Sequence, residues 1–225
     1  MVRLILGVGQ NQVKMNSKIN QIYIEYVSSC ERIKNNFFLG LLSINFINQR
    51  PFYTDIQLNV NLPEMNIIKC GSLNTLNDDA VQEYGNSLRR TILNDSIIAY
   101  EKFATRTALL LAGNHIDHCE IEDRKIGSHN LEAIAELYTD EHLEKIKAIK
   151  KLRNSIIHFN GVYNVNNKFK LNIGSETFDS CNKIGQNIRA EYSTILQIHD
   201  YIKLIVENVY NNAEKTKLKG TINKI

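Results

Sequence analysis

The only two prolines in this chain, Pro51 and Pro63, fall close together in one stretch, and that placement decides most of what the chain can fold into. Proline removes a backbone donor and clashes with the preceding turn, so it ends or kinks a helix wherever it stands. Outside that stretch long helices are free to form, and the apolar residues recur at helical spacing. After Ser17, a suitable cap, the residues Ile19, Ile22, Tyr26, Cys30, Ile33, Phe37, Leu41 and Ile44 follow at steps of three or four. They predict one long amphipathic helix, bent near Asn35-Asn36. A second helix is capped by Asn77 or Asp78, carries Ile97, Tyr100, Ala104, Ala108 and Leu111 on one stripe, and ends at Gly113. It is expected to be the most buried element. A third begins near Thr139, with Asp140 and Glu141 in its first turn and a core stripe of Leu143, Ile146, Ile149, Leu152 and Ile156 before Gly161 closes it. A fourth spans residues 186–210, with Ile188, Tyr192, Ile195, Ile202, Ile205 and Val209 inward. Four such helices in 225 residues make one all-α domain, a four-helix bundle with extra short helices.

The connections are less regular. From 49 to 76 the helical pattern breaks at both prolines and at Gly71, and alternation of Ile56, Leu58, Val60 and Leu62 allows a short strand within a long connection. Residues 114–138 turn polar, with a short helical piece over 131–137 capped by Ser128 or Asn130. After the third helix, Lys168 to Ile173, the Gly174-Ser175 turn and Glu176 to Phe178 predict a small β-hairpin. Residues 1–14, ahead of the second methionine Met15, read as a loose leader, and 214–225 as a frayed basic tail.

Several function classes drop out. The apolar run from Val2 to Val8 is short and holds Arg3, so it spans no membrane. Gly7-Val8-Gly9 lacks the third glycine of a dinucleotide fingerprint, since Gln12 stands there. Cys30, Cys70, Cys119 and Cys181 occur singly, as a reducing cytoplasm would leave them. His115, His118 and Cys119 lie close together, but no second ligand pair completes a tetrahedral site, so no metal is expected. His199 falls within the apolar stripe of the last helix, between Ile195 and Ile202, and reads as a satisfied interior or interface histidine. Asp78-Asp79 is a helix start rather than a paired-carboxylate site. The net charge of +3 is mild but uneven: acids outnumber bases from 78 to 123, whereas Lys145, Lys147, Lys150, Lys151 and Arg153 form a basic run.

That run leads into Leu152-Arg153-Asn154-Ser155-Ile156-Ile157-His158-Phe159-Asn160-Gly161. At about 100° per residue, Asn154 and His158 stack one turn apart, where the amide can orient the ring. Arg153 and His158 are separated by roughly 7.5 Å along the axis and about 140° around it, so they converge only through the arginine's length or a second copy. An imidazole exchanges protons near neutrality and a guanidinium forks onto phosphate oxygens, and Lys147, Lys150 and Lys151 beside them add positive charge suited to a phosphate backbone. A plainer reading pairs Arg153 with a carboxylate and leaves His158 at the helix C-terminus, where a cation is favoured. The arginine–histidine spacing recurs at Arg124 and His129, but Lys125 replaces the asparagine there and Gly127 interrupts the segment.

The decapeptide resembles the signature of the HEPN superfamily (higher eukaryotes and prokaryotes nucleotide-binding), an R-x4-6-H motif, often with a polar residue after the arginine, in an all-helical bundle. The resemblance implies a metal-independent endoribonuclease of a toxin–antitoxin or anti-phage system, with a homodimer forming one composite cleft. Arg153 and His158 would then be catalytic and Asn154 their support, with no cofactor. It also implies an antitoxin or other regulatory protein as partner. One branch, paired with nucleotidyltransferase antitoxins, carries a modifiable tyrosine two places after the histidine, where this chain has Asn160. The alternative within the same resemblance is a non-catalytic module that binds nucleotide or RNA, or serves as a dimerisation platform.

Overall fold

The second helix, α2 (Asp78–Leu111), packs against each of the three other long helices, α1 (Val2–Asn48), α3 (Asp140–His158) and α4 (Tyr192–Ile222). The computed structural model describes residues 2–48, 57–60, 68–72, 78–111 and 134–222, and side chains over 18–48, 78–111 and 134–213. Along α2, Ile92, Leu93, Ile97, Tyr100, Phe103 and Ala104 are all buried. Small residues let its neighbours come close. At Gly40 of α1, a Cβ would collide with the Leu88 side chain of α2. The same pair of helices is also joined by an ion pair between Glu25 and Arg106.

The helical stripes read from the sequence form the core. Ile19, Ile22, Tyr26, Cys30, Ile33 and Phe37 of α1 are buried, as are Ile146, Ile149, Leu152 and Ile156 of α3 and Ile195, Ile202, Ile205 and Val209 of α4. Among the described residues the protein is therefore mostly helical, with two small antiparallel sheets. β1 (Gln57–Val60) lies in the alternating segment and pairs with β2 (Ile68–Ser72), a strand the sequence did not announce. β3 (Lys170–Ile173) and β4 (Glu176–Asp179) are the expected hairpin, in register from Lys170↔Asp179 to Ile173↔Glu176. Gly174 opens its two-residue turn at φ 55°, a conformation suited to glycine. A 3-10 turn, Ala135–Leu137, falls within the short helical piece expected over 131–137. The Asn212 amide donates to the Leu137 carbonyl and holds this turn against α4.

Three expectations about element ends are corrected. α1 begins at Val2 and runs without interruption past Asn35-Asn36 to Asn48, so residues 2–14 are helical rather than a loose leader. Nothing between Val2 and Ser17 breaks a helix, since Gly7 and Gly9 each cost only about 1 kcal/mol in propensity. α4 continues to Ile222 through most of the tail expected to fray. α4 also starts six residues later than predicted, at 192 rather than 186. The backbone around Gln186 is engaged elsewhere: Tyr163 N–H donates to Gln186 O, Gly185 N–H to Tyr163 O and Ile188 N–H to Gly161 O. Gly113, His115, His118, Cys119, Arg124, Ser128, His129 and Asn130 lie outside the described residues. Among the described residues, no helix is long and apolar enough to cross a membrane.

His199 is interior, as its place in the stripe implied. It is 2% exposed, and its Nδ1 lies 2.8 Å from Ser96 Oγ on α2. Burial lowers its pKa from the ordinary imidazole value, with Lys34 and Lys203 nearby acting the same way. A histidine whose folded pKa is depressed binds its proton more readily when unfolded, so its contribution falls as pH drops below the ordinary value near 6.5. The melting temperature is thus expected to decline from pH 7 to pH 5, and a His199→Gln variant to show a shallower decline than the wild type. Parallel curves for the two proteins would remove His199 as the cause.

Candidate nucleic-acid face on the third helix

Helix α3 is started by Thr139, whose Oγ1 accepts the His142 N–H at 3.2 Å, and by the acidic pair Asp140 and Glu141 in its first turn. It ends at His158, three residues before the glycine expected to close it. The Ser155 carbonyl accepts both the Phe159 N–H at 3.3 Å and the Gly161 N–H at 3.1 Å. This turn requires positive φ at Asn160 (52°) and Gly161 (75°), the first tolerable for asparagine and the second easy for glycine.

Because Ile146, Ile149, Leu152 and Ile156 face the core, the rest of the wheel is fixed. Lys147, Lys151, Asn154 and His158 fall within an arc of about 60° on the far side and span roughly 16 Å of helix. His158 is exposed, and among the described residues it has no hydrogen bond or ion pair. Exposed Ile157 and Phe159 stand on either side of it. Asn154 is half-buried and makes no hydrogen bond to the His158 ring, so the amide does not hold the imidazole in this structure.

Arg153 lies on the other flank, against α2. Its Nη2 is 3.5 Å from Glu101 Oε1, and Lys150 Nζ reaches the same oxygen at 2.6 Å. The three side chains are only 12–18% exposed, so the group is a largely buried triad with one excess positive charge. The Arg153 Nε is buried without a hydrogen-bond partner. Arg153 and His158 are accordingly not brought together within one chain, and the arginine takes the ion pair that the plainer reading foresaw. The expectation of Lys150 on an RNA-facing surface is corrected as well: it turns inward because Glu101 offers an acceptor there.

The basic run is likewise divided. Lys145 sits over the Tyr201 ring, 4.4 Å from its centroid, and 3.5 Å from Glu141. Lys147 meets Glu144 at 2.9 Å while remaining about half exposed. Lys151 donates to the Lys168 carbonyl at 2.9 Å, joining α3 to the segment that enters β3. Asn167 completes that junction, its Nδ2 donating to the Lys151 carbonyl at 2.6 Å and to the buried Ser155 hydroxyl at 2.7 Å.

Between α3 and β3 lies a cleft of about 610 Å³. Lys147, Lys151, Lys168 and Lys170 line it, and Asp140, Glu141 and Glu144 line the part nearer the start of α3. Glu101, Asn167, Lys168 and Lys170 were not picked out from the sequence. The two lysines were readable in principle: residues two apart in extended chain share a face, and burial alternates from Lys168 through Ile173 as that requires. Glu101 had no such signal. Among the described residues, no group of three or more His, Cys, Asp or Glu side chains is placed to hold a metal. Comparison with protein-family models, curated proteins and solved structures gives no match for this chain.

Proposed function

We propose that this protein is a metal-independent endoribonuclease of HEPN type that works through the outward face of α3. The observation that carries the proposal is the exposed His158, which engages no described residue, at the end of a row that includes Lys147 and Lys151. The lysines attract the RNA backbone, and His158 exchanges the proton of the attacking 2′-hydroxyl or of the leaving oxygen. Arg153 is a permanently charged fork; Glu101 engages one terminal nitrogen and the Nε is buried, so the other terminal nitrogen serves the phosphorane charge.

Among the described residues, the outward face of α3 offers one imidazole, whereas base and acid are both required. The exposed apolar pair Ile157 and Phe159 beside His158 gives a second copy something to bury, and closing that contact brings a second His158 alongside the first. The homodimer is therefore part of the proposal, as is a setting in defence or toxin–antitoxin biology, where such an activity would need an antitoxin or other regulatory protein. A second reading, an RNA- or nucleotide-binding module without cleavage, is favoured by the engagement of Arg153 with Glu101.

The two readings separate when RNA is incubated with the protein in EDTA. The nuclease cuts it and elutes as a dimer in the micromolar range. Intact RNA, retained equally by wild type and an Arg153→Ala, His158→Ala double variant, would instead establish the binding module.

A further inference from the structure

We propose that the cleft between α3 and β3 is a docking groove for single-stranded RNA, with Lys168 and Lys170 as its principal phosphate contacts. The proposal rests on the reading that the α3 face acts on RNA, and it names the path the strand takes and the form of RNA that fits.

Four observations support it. First, the two walls of the cleft are fixed to one another by the Lys151–Lys168 carbonyl bond and by the bridging Asn167 amide, so the groove is built into the fold. Second, Lys168 and Lys170 are both exposed, and among the described residues neither donates a hydrogen bond or forms an ion pair. The carboxylate opposite Lys170 in the hairpin, Asp179, accepts instead from the Cys181 and Asn182 N–H groups and the Asn182 amide. Desolvation is the largest single influence on Asp179 and raises its pKa, but these bonds, with a smaller electrostatic contribution from Lys170, together bring it below the ordinary carboxylate value. Third, charge is graded along the cleft. Near the start of α3, Asp140, Glu141 and Glu144 outnumber Lys145 and Lys147, which pair with Glu141 and Glu144, whereas Lys151, Lys168 and Lys170 face no lining carboxylate, so a phosphate strand is drawn to the lysine end. Fourth, about 610 Å³ lies in the range of nucleotide-sized pockets, with room inside for one or two nucleotides of a single strand.

The test is binding of a short fluorescent single-stranded RNA, made uncleavable by 2′-O-methylation, to the full chain. A Lys168→Gln, Lys170→Gln double variant is compared with a Lys34→Gln, Lys203→Gln variant, which loses the same charge from α1 and α4. Circular dichroism checks that all three proteins fold. The expected result is about tenfold weaker binding for the cleft variant, with the slope of log affinity against log salt reduced by about 1.4, since each single-strand phosphate contact accounts for roughly 0.7. The Lys34, Lys203 variant should bind like the wild type. Equal losses in both variants, no loss in the cleft variant, or a duplex of the same sequence bound as tightly would each overturn the groove. Cleavage of unmodified RNA is read in parallel, so that the two proposals can fail separately. Cleavage without any role for Lys168 and Lys170 in binding removes the groove alone. Binding through those lysines without cleavage removes only the nuclease. A wild type that neither binds nor cuts RNA overturns both.

Discussion

A His158→Ala variant should lose RNA cleavage by a factor of about 10²–10⁴, the usual contribution of a proton-transfer group, while melting at the wild-type temperature. The second half of that expectation follows from the structure: the His158 ring is exposed and engages no described residue, so its removal leaves no cavity and no orphaned partner. RNA affinity should also survive, because the lysines along α3 and β3 remain. Arg153→Ala should lose cleavage to a similar extent, but with a visible change in stability, since Glu101 would retain only Lys150. Rates measured in EDTA, beside melting curves for both variants, separate the two residues. A His158→Ala protein that cuts RNA at the wild-type rate would place the chemistry elsewhere.

The largest effect on stability is expected at Glu101. Its carboxylate is 12% exposed and accepts from Lys150 and Arg153, themselves 18% and 16% exposed. Glu101→Ala leaves two cations facing each other away from bulk water, a change that costs about 3 kcal/mol when a buried pair loses one partner. For a chain of this size that corresponds to a fall of roughly 6–12 °C in melting temperature. Adding Lys150→Met to Glu101→Ala removes one of the two opposed charges and should recover part of the loss, a coupling that a double-mutant cycle measures. An unchanged melting temperature for Glu101→Ala would mean that water already screens the triad and that α2 does not fix Arg153. The same substitution bears on activity, because Glu101 decides which way the Arg153 guanidinium points.

How much of this was readable in the sequence depends on the kind of contact involved. Ile146, Ile149, Leu152 and Ile156 declared the buried side of α3 by their spacing, and once that side was known, the outward placement of His158 followed from helix geometry alone. The hairpin at Gly174-Ser175 was equally local. What the sequence did not show was tertiary. Lys150 and Lys151 are neighbours in the chain and equally basic, yet one is drawn inward by Glu101 and the other reaches the Lys168 carbonyl. That division depends on how α2 and β3 are set against α3, which no periodicity records. The late start of α4 has the same origin, because the residues before it are paired with Gly161 and Tyr163 across the junction that follows α3. The basic run therefore looked continuous in sequence and is split three ways in space.

The chemistry assigned to the α3 face can be read from its products. RNA cut by the wild-type protein in EDTA should carry 2′,3′-cyclic phosphate and 5′-hydroxyl ends, which mass spectrometry of the fragments distinguishes from 3′-hydroxyl and 5′-phosphate ends. Cyclic phosphate ends, absent from digests with His158→Ala, are the result expected if His158 moves a proton during attack by the 2′-hydroxyl. Hydrolytic ends, or cleavage that disappears once EDTA is added, would contradict it.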